Sequence, residues 1–262
     1  MLAEMVSKNS PIELSLERML SAPHLKKAIE ELYRVFSKYP LQAEVHACPC
    51  CHDKEDEKKI HSKPLHRLTA EDLEKFAMDA LYTWGTPDDF RHFLPRLFEL
   101  LTIAERFEVG YANAEIVFNK LTYAEWRSWA PDEQKAIQRF FHALWESALD
   151  AKPQDFYTAG IETVICAIAQ AENDLAFYLD EWLSANTLNA CHNLVLMITR
   201  SGILSRKRYS SNAFWEQRKD QCDQLSKWLH AGRVKKKLLY ALEIWPEEKF
   251  AGEMEQAVAL LP

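Results

Sequence analysis

Apolar residues recur along this chain with the 3.6-residue period of an amphipathic helix. Leu73, Phe76, Ala77, Ala80, Leu81 and Trp84 fall at i, i+3, i+4, i+7, i+8 and i+11, the stripe that a helix turns toward a core. Phe90, Phe93, Leu94, Leu97, Phe98 and Leu101 repeat that template, as do Ile137, Phe140, Phe141, Leu144, Trp145 and Ala148. Strand-like alternation is confined to a few short runs. The pattern predicts helices over 12–20, 23–38, 69–84, 87–103, 110–121, 131–149, 154–170, 173–184, 187–201, 212–231, 233–245 and 247–260.

Several starts are marked by capping chemistry. Thr69 with Asp72 makes a capping box, in which a hydroxyl accepts from a free N–H of the first turn. Thr86-Pro87-Asp88-Asp89 sets a cap, an N1 proline and two acids at the positive end of the next helix. Pro131-Asp132-Glu133 and Pro246-Glu247-Glu248 have the same form. Pro95 falls inside its helix and removes one backbone donor there, which predicts a kink. Short connectors favour antiparallel helical hairpins. The pairs 69–103 and 173–201 resemble two-helix units of HEAT or armadillo type, although no repeat of fixed length runs through the chain. The expected fold is all-α: a HEAT-like or irregular helical array, one domain over 1–262. Residues 39–67 form its one long non-helical stretch.

Composition agrees. With 262 residues, 48% hydrophobic and 27% charged, the chain can bury a sizeable core, and only 6 glycines argue against the many tight turns of an all-β protein. The net charge of −7 disfavours bulk attraction to nucleic acid or an anionic membrane. That charge is uneven: from Arg200 to Tyr240 eleven Lys or Arg stand against three acids, a net of +8, which leaves −15 for the rest. No N-terminal signal pattern or ~20-residue apolar span is present. Sparse cysteines outside one cluster imply reduced thiols and a cytoplasmic location.

That cluster is the local candidate for inorganic chemistry. Cys48-Pro49-Cys50-Cys51-His52 is followed by a charged run and then His61 and His66, so residues 45–68 hold three of six cysteines and four of nine histidines. Cys48-x-x-Cys51 is the spacing that lets two thiolates grip one zinc ion from a single turn. His61 and His66 would complete a Cys2His2 shell, with Cys50 and His52 as spares. A structural zinc would hold so polar a segment folded. Two other readings stand beside it. Cys-Pro-x-Cys is also a redox dithiol motif, although no βαβ pattern surrounds it. A plain surface loop with reduced thiols is the third.

No catalytic constellation is legible. The phosphate-binding glycine loop, G-x-S-x-G and H-E-x-x-H are absent. Acid pairs such as Asp88/Asp89 and Asp180/Glu181 read as caps and solvated faces, and Glu172, Asp174, Asp180 and Glu181 as an acidic ridge or, again, a solvated face. His92, His142 and His192 read as hydrogen-bonded core neighbours. Arg206-Lys207-Arg208-Tyr209 with Phe214-Trp215 interleaves basic and aromatic residues, as single-strand binders do.

The motif order Cys48-Pro49-Cys50-Cys51, His61-Ser62-Lys63-Pro64-Leu65, Leu68-Thr69-Ala70-Glu71-Asp72-Leu73, Thr83-Trp84-Gly85 and Asp89-Phe90-Arg91-His92-Phe93-Leu94-Pro95-Arg96 resembles a widespread bacterial family of helical proteins without an assigned activity. The resemblance covers residues 40 to about 101 and brings no catalytic residues. It implies a bacterial cytoplasmic protein of the kind encoded as a soluble partner. Immunity proteins of polymorphic toxin systems share its size, acidity and lack of catalytic motifs. The function expected is therefore protein–protein interaction: neutralising a cognate toxin by occluding its active site, without membrane or nucleic acid. The alternatives are a zinc-dependent hydrolase and a helical adaptor binding RNA or phosphate through 200–240.

Overall fold

The apolar stripes read from the sequence are the faces that pack. Phe90, Phe93, Leu94, Leu97, Phe98 and Leu101 are all buried, as are Ile137, Phe140, Phe141, Leu144 and Trp145. The computed structural model describes residues 22–104, 107–152, 160–204, 212–246 and 250–262, and the predicted helix 12–20 lies outside them. Twelve α-helices occupy the described residues: α1 (Pro23–Phe36), α2 (Lys54–His61), α3 (Ala70–Asp79), α4 (Pro87–Ile103), α5 (Ala114–Tyr123), α6 (Pro131–Asp150), α7 (Ile161–Ala171), α8 (Ala176–Ser184), α9 (Leu188–Arg200), α10 (Lys219–Leu229), α11 (Gly232–Ile244) and α12 (Ala251–Leu260). One antiparallel hairpin, β1 (Glu108–Val109) and β2 (Ala112–Asn113), interrupts them. The fold is all-α, as the period required.

The capping boxes form as read. Thr69 Oγ1 accepts from the Asp72 N–H while Asp72 accepts from the Thr69 N–H, and Thr86 with Asp89 does the same. The long helix α6 is the spine of the array, touching α1, α7, α8 and α9. The most extensive contacts join helices that are not consecutive, α5 with α7 and α1 with α6. Phe98 ties three helices together, its ring centroid 5.0 Å from Phe118 on α5 and 4.8 Å from Phe140 on α6. Trp145 of α6 donates its indole N–H to the Tyr178 carbonyl of α8 at 2.9 Å. Among the described residues no helix is long and apolar enough to cross a membrane.

Four expectations need correction. The stretch 39–67 contains a helix, α2. It has one buried apolar residue, Ile60, so no period announced it. It stands instead on a capping box between Asp53 and Asp56, with Glu55, Asp56 and Glu57 in the first turn and Lys58, Lys59 and His61 in the last. That charge order complements the helix dipole at both ends.

The helix predicted from 110 begins at Ala114. Gly110 adopts φ +59° and heads a two-residue hairpin loop, a place where glycine avoids the Cβ clash of other residues. A Cβ there would also lie 2.1 Å from the Glu74 Cβ, because the hairpin tip sits directly on α3.

The helix predicted over 69–84 ends at Asp79. Leu81 turns left-handed at φ 69° and its N–H donates to the Trp84 carbonyl at 2.8 Å. The chain thereby folds back and buries the Trp84 indole on Phe76, with ring centroids 5.4 Å apart. Helix 212–231 divides as well, into a 3₁₀ turn over Ala213–Gln217 followed by α10.

Candidate metal centre

Backbone hydrogen bonds decide how the cysteine segment sits. The Cys48 N–H donates to the Thr83 carbonyl at 2.8 Å, and the Gly85 N–H donates to the His46 carbonyl at 2.7 Å. Segment 45–48 is thus laid alongside the return 83–85, with Ala47 bridged to Trp84. Gly85 permits this approach: its φ is +76°, and a Cβ would press on Asp89 at 3.2 Å and Phe76 at 3.3 Å. The Val45 N–H is held by Glu57 Oε1 at 2.9 Å. The chain then doubles over Pro49, with the N–H groups of Cys51 and His52 both donating to the Cys48 carbonyl at 3.0 and 3.1 Å.

This turn gathers three thiols. Cys48 Sγ stands 2.8 Å from Cys50 Sγ, Cys50 Sγ stands 3.5 Å from Cys51 Sγ, and all three lie within 4.8 Å of one another. Metal–sulfur bonds of about 2.3 Å in tetrahedral geometry set sulfurs about 3.8 Å apart, so the trio needs only small side-chain adjustments to share one ion. Cys50 and Cys51 are exposed and Cys48 is half-buried. The Cys50 thiol, and then the Cys50 backbone, hydrogen-bond to Cys48 and lower its pKa below the usual thiol value. Cys50 is pushed up to about 11 by its bond to Cys48 and then by Cys51. The Cys48 thiolate therefore forms readily while Cys50 holds its proton, which a cation of high sulfur affinity displaces.

The histidines expected to complete the shell are placed elsewhere. His61 Nε2 donates to Glu57 Oε1 at 2.9 Å along α2, and His66 is exposed on the 3₁₀ turn Leu65–Arg67. Neither joins the three-thiol cluster. Cys48 and Cys51 are brought together as the spacing implied, and Cys50, read as a spare, takes the third place.

His52 points into the protein. Its side chain is 2% exposed, its ring lies 4.5 Å from Trp84, and Nε2 shares a 3.1 Å hydrogen bond with Thr83 Oγ1. Burial lowers its pKa, opposed by Asp79. Asp56, beside it, is hydrogen-bonded to Lys75. This set of contacts wedges the turn onto α3.

The other candidates resolve into packing. His92 Nδ1 donates to the Tyr39 carbonyl at 2.7 Å, His142 stacks on Phe177 and His192 on Phe250. The supposed acidic ridge is dispersed. Glu172 is buried and paired with Arg127, Asp174 accepts from Gln224, and Asp180 pairs with Arg233 at 3.2 Å.

In the basic region, Arg206–Tyr209 lie outside the described residues. Several of its described cations turn inward. Lys237 is buried and donates to the carbonyls of Leu183 and Ala185 and to Asn186 Oδ1 at the end of α8. Arg218 donates to the Glu172 carbonyl at 2.7 Å, and Lys235 to the Leu261 carbonyl at 2.9 Å. Trp215 is fully buried, so its face is closed to a stacking base.

Two buried cations escaped the sequence reading. Lys120 is fully buried on α5, where its ammonium donates to the Met78 carbonyl at 2.6 Å and lies 3.4 Å from the Tyr82 ring centroid. Burial lowers its pKa to about 7. Lys237 is the second. A signal existed for both, since each falls three residues after a stripe position, Val117 or Val234, on the buried side of its helix.

A hollow of about 420 Å³ near Trp126 is lined by Thr122, Glu125, Arg127, Ser128, Ala171 and Asn173. It lacks a set of convergent acids, bases or nucleophiles. Fold and site together define an all-α protein carrying a three-thiol turn. No family model, curated protein or solved structure matches the chain.

Proposed function

We propose that the Cys48–Cys51 turn is a thiolate metal centre and that the helical body it fastens is a binding protein. One observation carries the metal reading: three thiols from a single turn lie within 4.8 Å of one another, on a backbone pinned by the Cys48 N–H to Thr83 and by the Cys51 and His52 N–H groups to the Cys48 carbonyl. Zinc fits as three thiolates with water in the fourth position. Such an ion would stiffen the junction between segment 45–52 and the end of α3. The site lies on an exposed turn, and the neighbouring acids are engaged, Asp53 as the cap of α2 and Asp56 with Lys75. That supports a holding role over hydrolysis. The test is metal content and thiol accessibility of protein purified without chelator or affinity histidines. One zinc per chain, with the three thiols protected until the metal is stripped, is the expected result. Metal-free protein with freely reactive thiols removes the proposal.

The binding reading is favoured by exposed aromatic surface. Tyr82 and Tyr123 are 51% and 58% exposed and stack edge-to-face with centroids 4.9 Å apart, beside exposed Met78. Tyrosine and methionine at an exposed patch are the residues that protein interfaces enrich. We assign this surface to a protein partner, with a toxin blocked by its immunity protein as the specific case. A net-acidic chain suits a basic toxin. Purified protein that leaves every toxin encoded beside its gene active would remove that assignment.

A further inference from the structure

The geometry points to a three-coordinate, thiol-seeking ion, Cu(I), as the preferred occupant of the Cys48–Cys50–Cys51 turn, ahead of four-coordinate zinc. The inference rests on the metal-centre reading above and concerns which ion that centre selects.

Zinc in structural sites takes four ligands, usually contributed by two separate segments. Here the whole donor set comes from four consecutive residues, and the opposite segment supplies none. All six cysteines and nine histidines lie among the described residues, and of these only the three thiols gather. The nearby donors lie outside that group. His52 is buried against Trp84 and Thr83, His61 is bonded to Glu57, and Asp53 accepts from the Glu55 and Asp56 N–H groups as the cap of α2. The hemisphere of the ion away from the turn would face solvent, because Cys50 and Cys51 are exposed.

Zinc in this turn is left one protein ligand short. Soft thiolate donors suit both ions, and Cu(I) is satisfied by three sulfurs, so the number of ligands favours it. Binding forms three sulfur–copper bonds and releases the thiol protons to solvent. Copper and sulfur keep their oxidation states. His46 is the one nitrogen donor close in sequence on the N-terminal side, two residues before Cys48, and it stands outside the cluster.

The experiment uses the full chain, reduced and stripped of metal. It is titrated anaerobically with Cu(I) held by a chromogenic chelator, with and without equimolar zinc, and X-ray absorption is measured on the loaded protein. The expected result is one Cu(I) per chain surrounded by three sulfurs, with zinc displaced. Cys48→Ser, Cys50→Ser and Cys51→Ser should each weaken binding by more than about 100-fold, more than losing a supporting contact does, with helical circular dichroism unchanged. Zinc held by three sulfurs and a nitrogen, lost in His46→Ala and resistant to Cu(I), overturns the inference and leaves the metal centre standing. Copper stoichiometry that survives all three serine substitutions also overturns it. Failure of both ions to bind removes the inference and the metal centre together.

Discussion

Lys120→Met tests whether a cation is forced into the interior at the α3–α5 contact. The wild-type ammonium is fully buried, with one hydrogen bond to the Met78 carbonyl and the Tyr82 ring beside it. Burial lowers its pKa to about 7, opposed by Asp79, against roughly 10.4 for the unfolded chain. Between those values the unfolded state binds one more proton than the native state, so stability rises with pH across the window. Below pH 7 both states are protonated and the dependence fades. Each pH unit in the window is worth about 1.4 kcal/mol. Allowing for half-protonation of the native state at pH 7, the wild type gains about 2 kcal/mol between pH 7 and pH 9. Methionine has similar length and no titratable group, so the variant lacks this gain while other titrations cancel in the difference. Urea denaturation followed by tryptophan fluorescence at pH 7, 8 and 9 measures it. A wild-type-minus-variant difference that stays level over that range refutes the reasoning and makes the ammonium solvent-accessible.

Three further outcomes follow from other contacts. Gly110→Ala combines the left-handed φ of +59° with a Cβ set 2.1 Å from the Glu74 Cβ. It should cost about 2–4 kcal/mol in chemical denaturation, and unchanged stability would detach the hairpin from α3. Glu115 is buried, with Oε1 accepting from Asn212 at 2.7 Å and Oε2 unpartnered. Burial raises its pKa, so its contribution is present at acid pH and lost as pH rises through the native value. Glu115→Gln should therefore gain on the wild type as pH rises from 4 to 7 in paired melts, and parallel curves would contradict the burial. In metal-free protein at neutral pH, iodoacetamide should modify Cys48 before Cys166 and Cys191. The bonds from Cys50 favour the Cys48 thiolate, while burial raises both of the others. Peptide mass mapping gives the order, and equal labelling would refute it.

Helix faces and starts were legible because they depend on neighbours within one turn. The stripe Phe90–Leu101 buries as its period requires, and Thr86 with Asp89 caps it through bonds spanning three residues. Two thiols of the cysteine turn were legible for the same reason, since Cys48 and Cys51 share one backbone reversal. Helix α2 was hidden because its stabilisation lies in charge order and a capping box, with Ile60 alone buried. The return at Leu81–Trp84 was hidden because Trp84 fits a helical stripe equally well and leaves it to pack on Phe76 and His52.

The sequence by itself determined an all-α chain, most of its helix boundaries and the segment where the cysteines cluster. Period, caps and cysteine spacing are local properties. Only the tertiary structure decided that segment 45–48 lies along 83–85, that His52 is buried against Trp84, and that neither His61 nor His66 reaches the three-thiol cluster. Those outcomes depend on where 83–85 returns to meet 45–48 and on which donors the neighbouring elements have already engaged. Such contacts join residues tens of positions apart, and side-chain spacing along the chain carries no record of them.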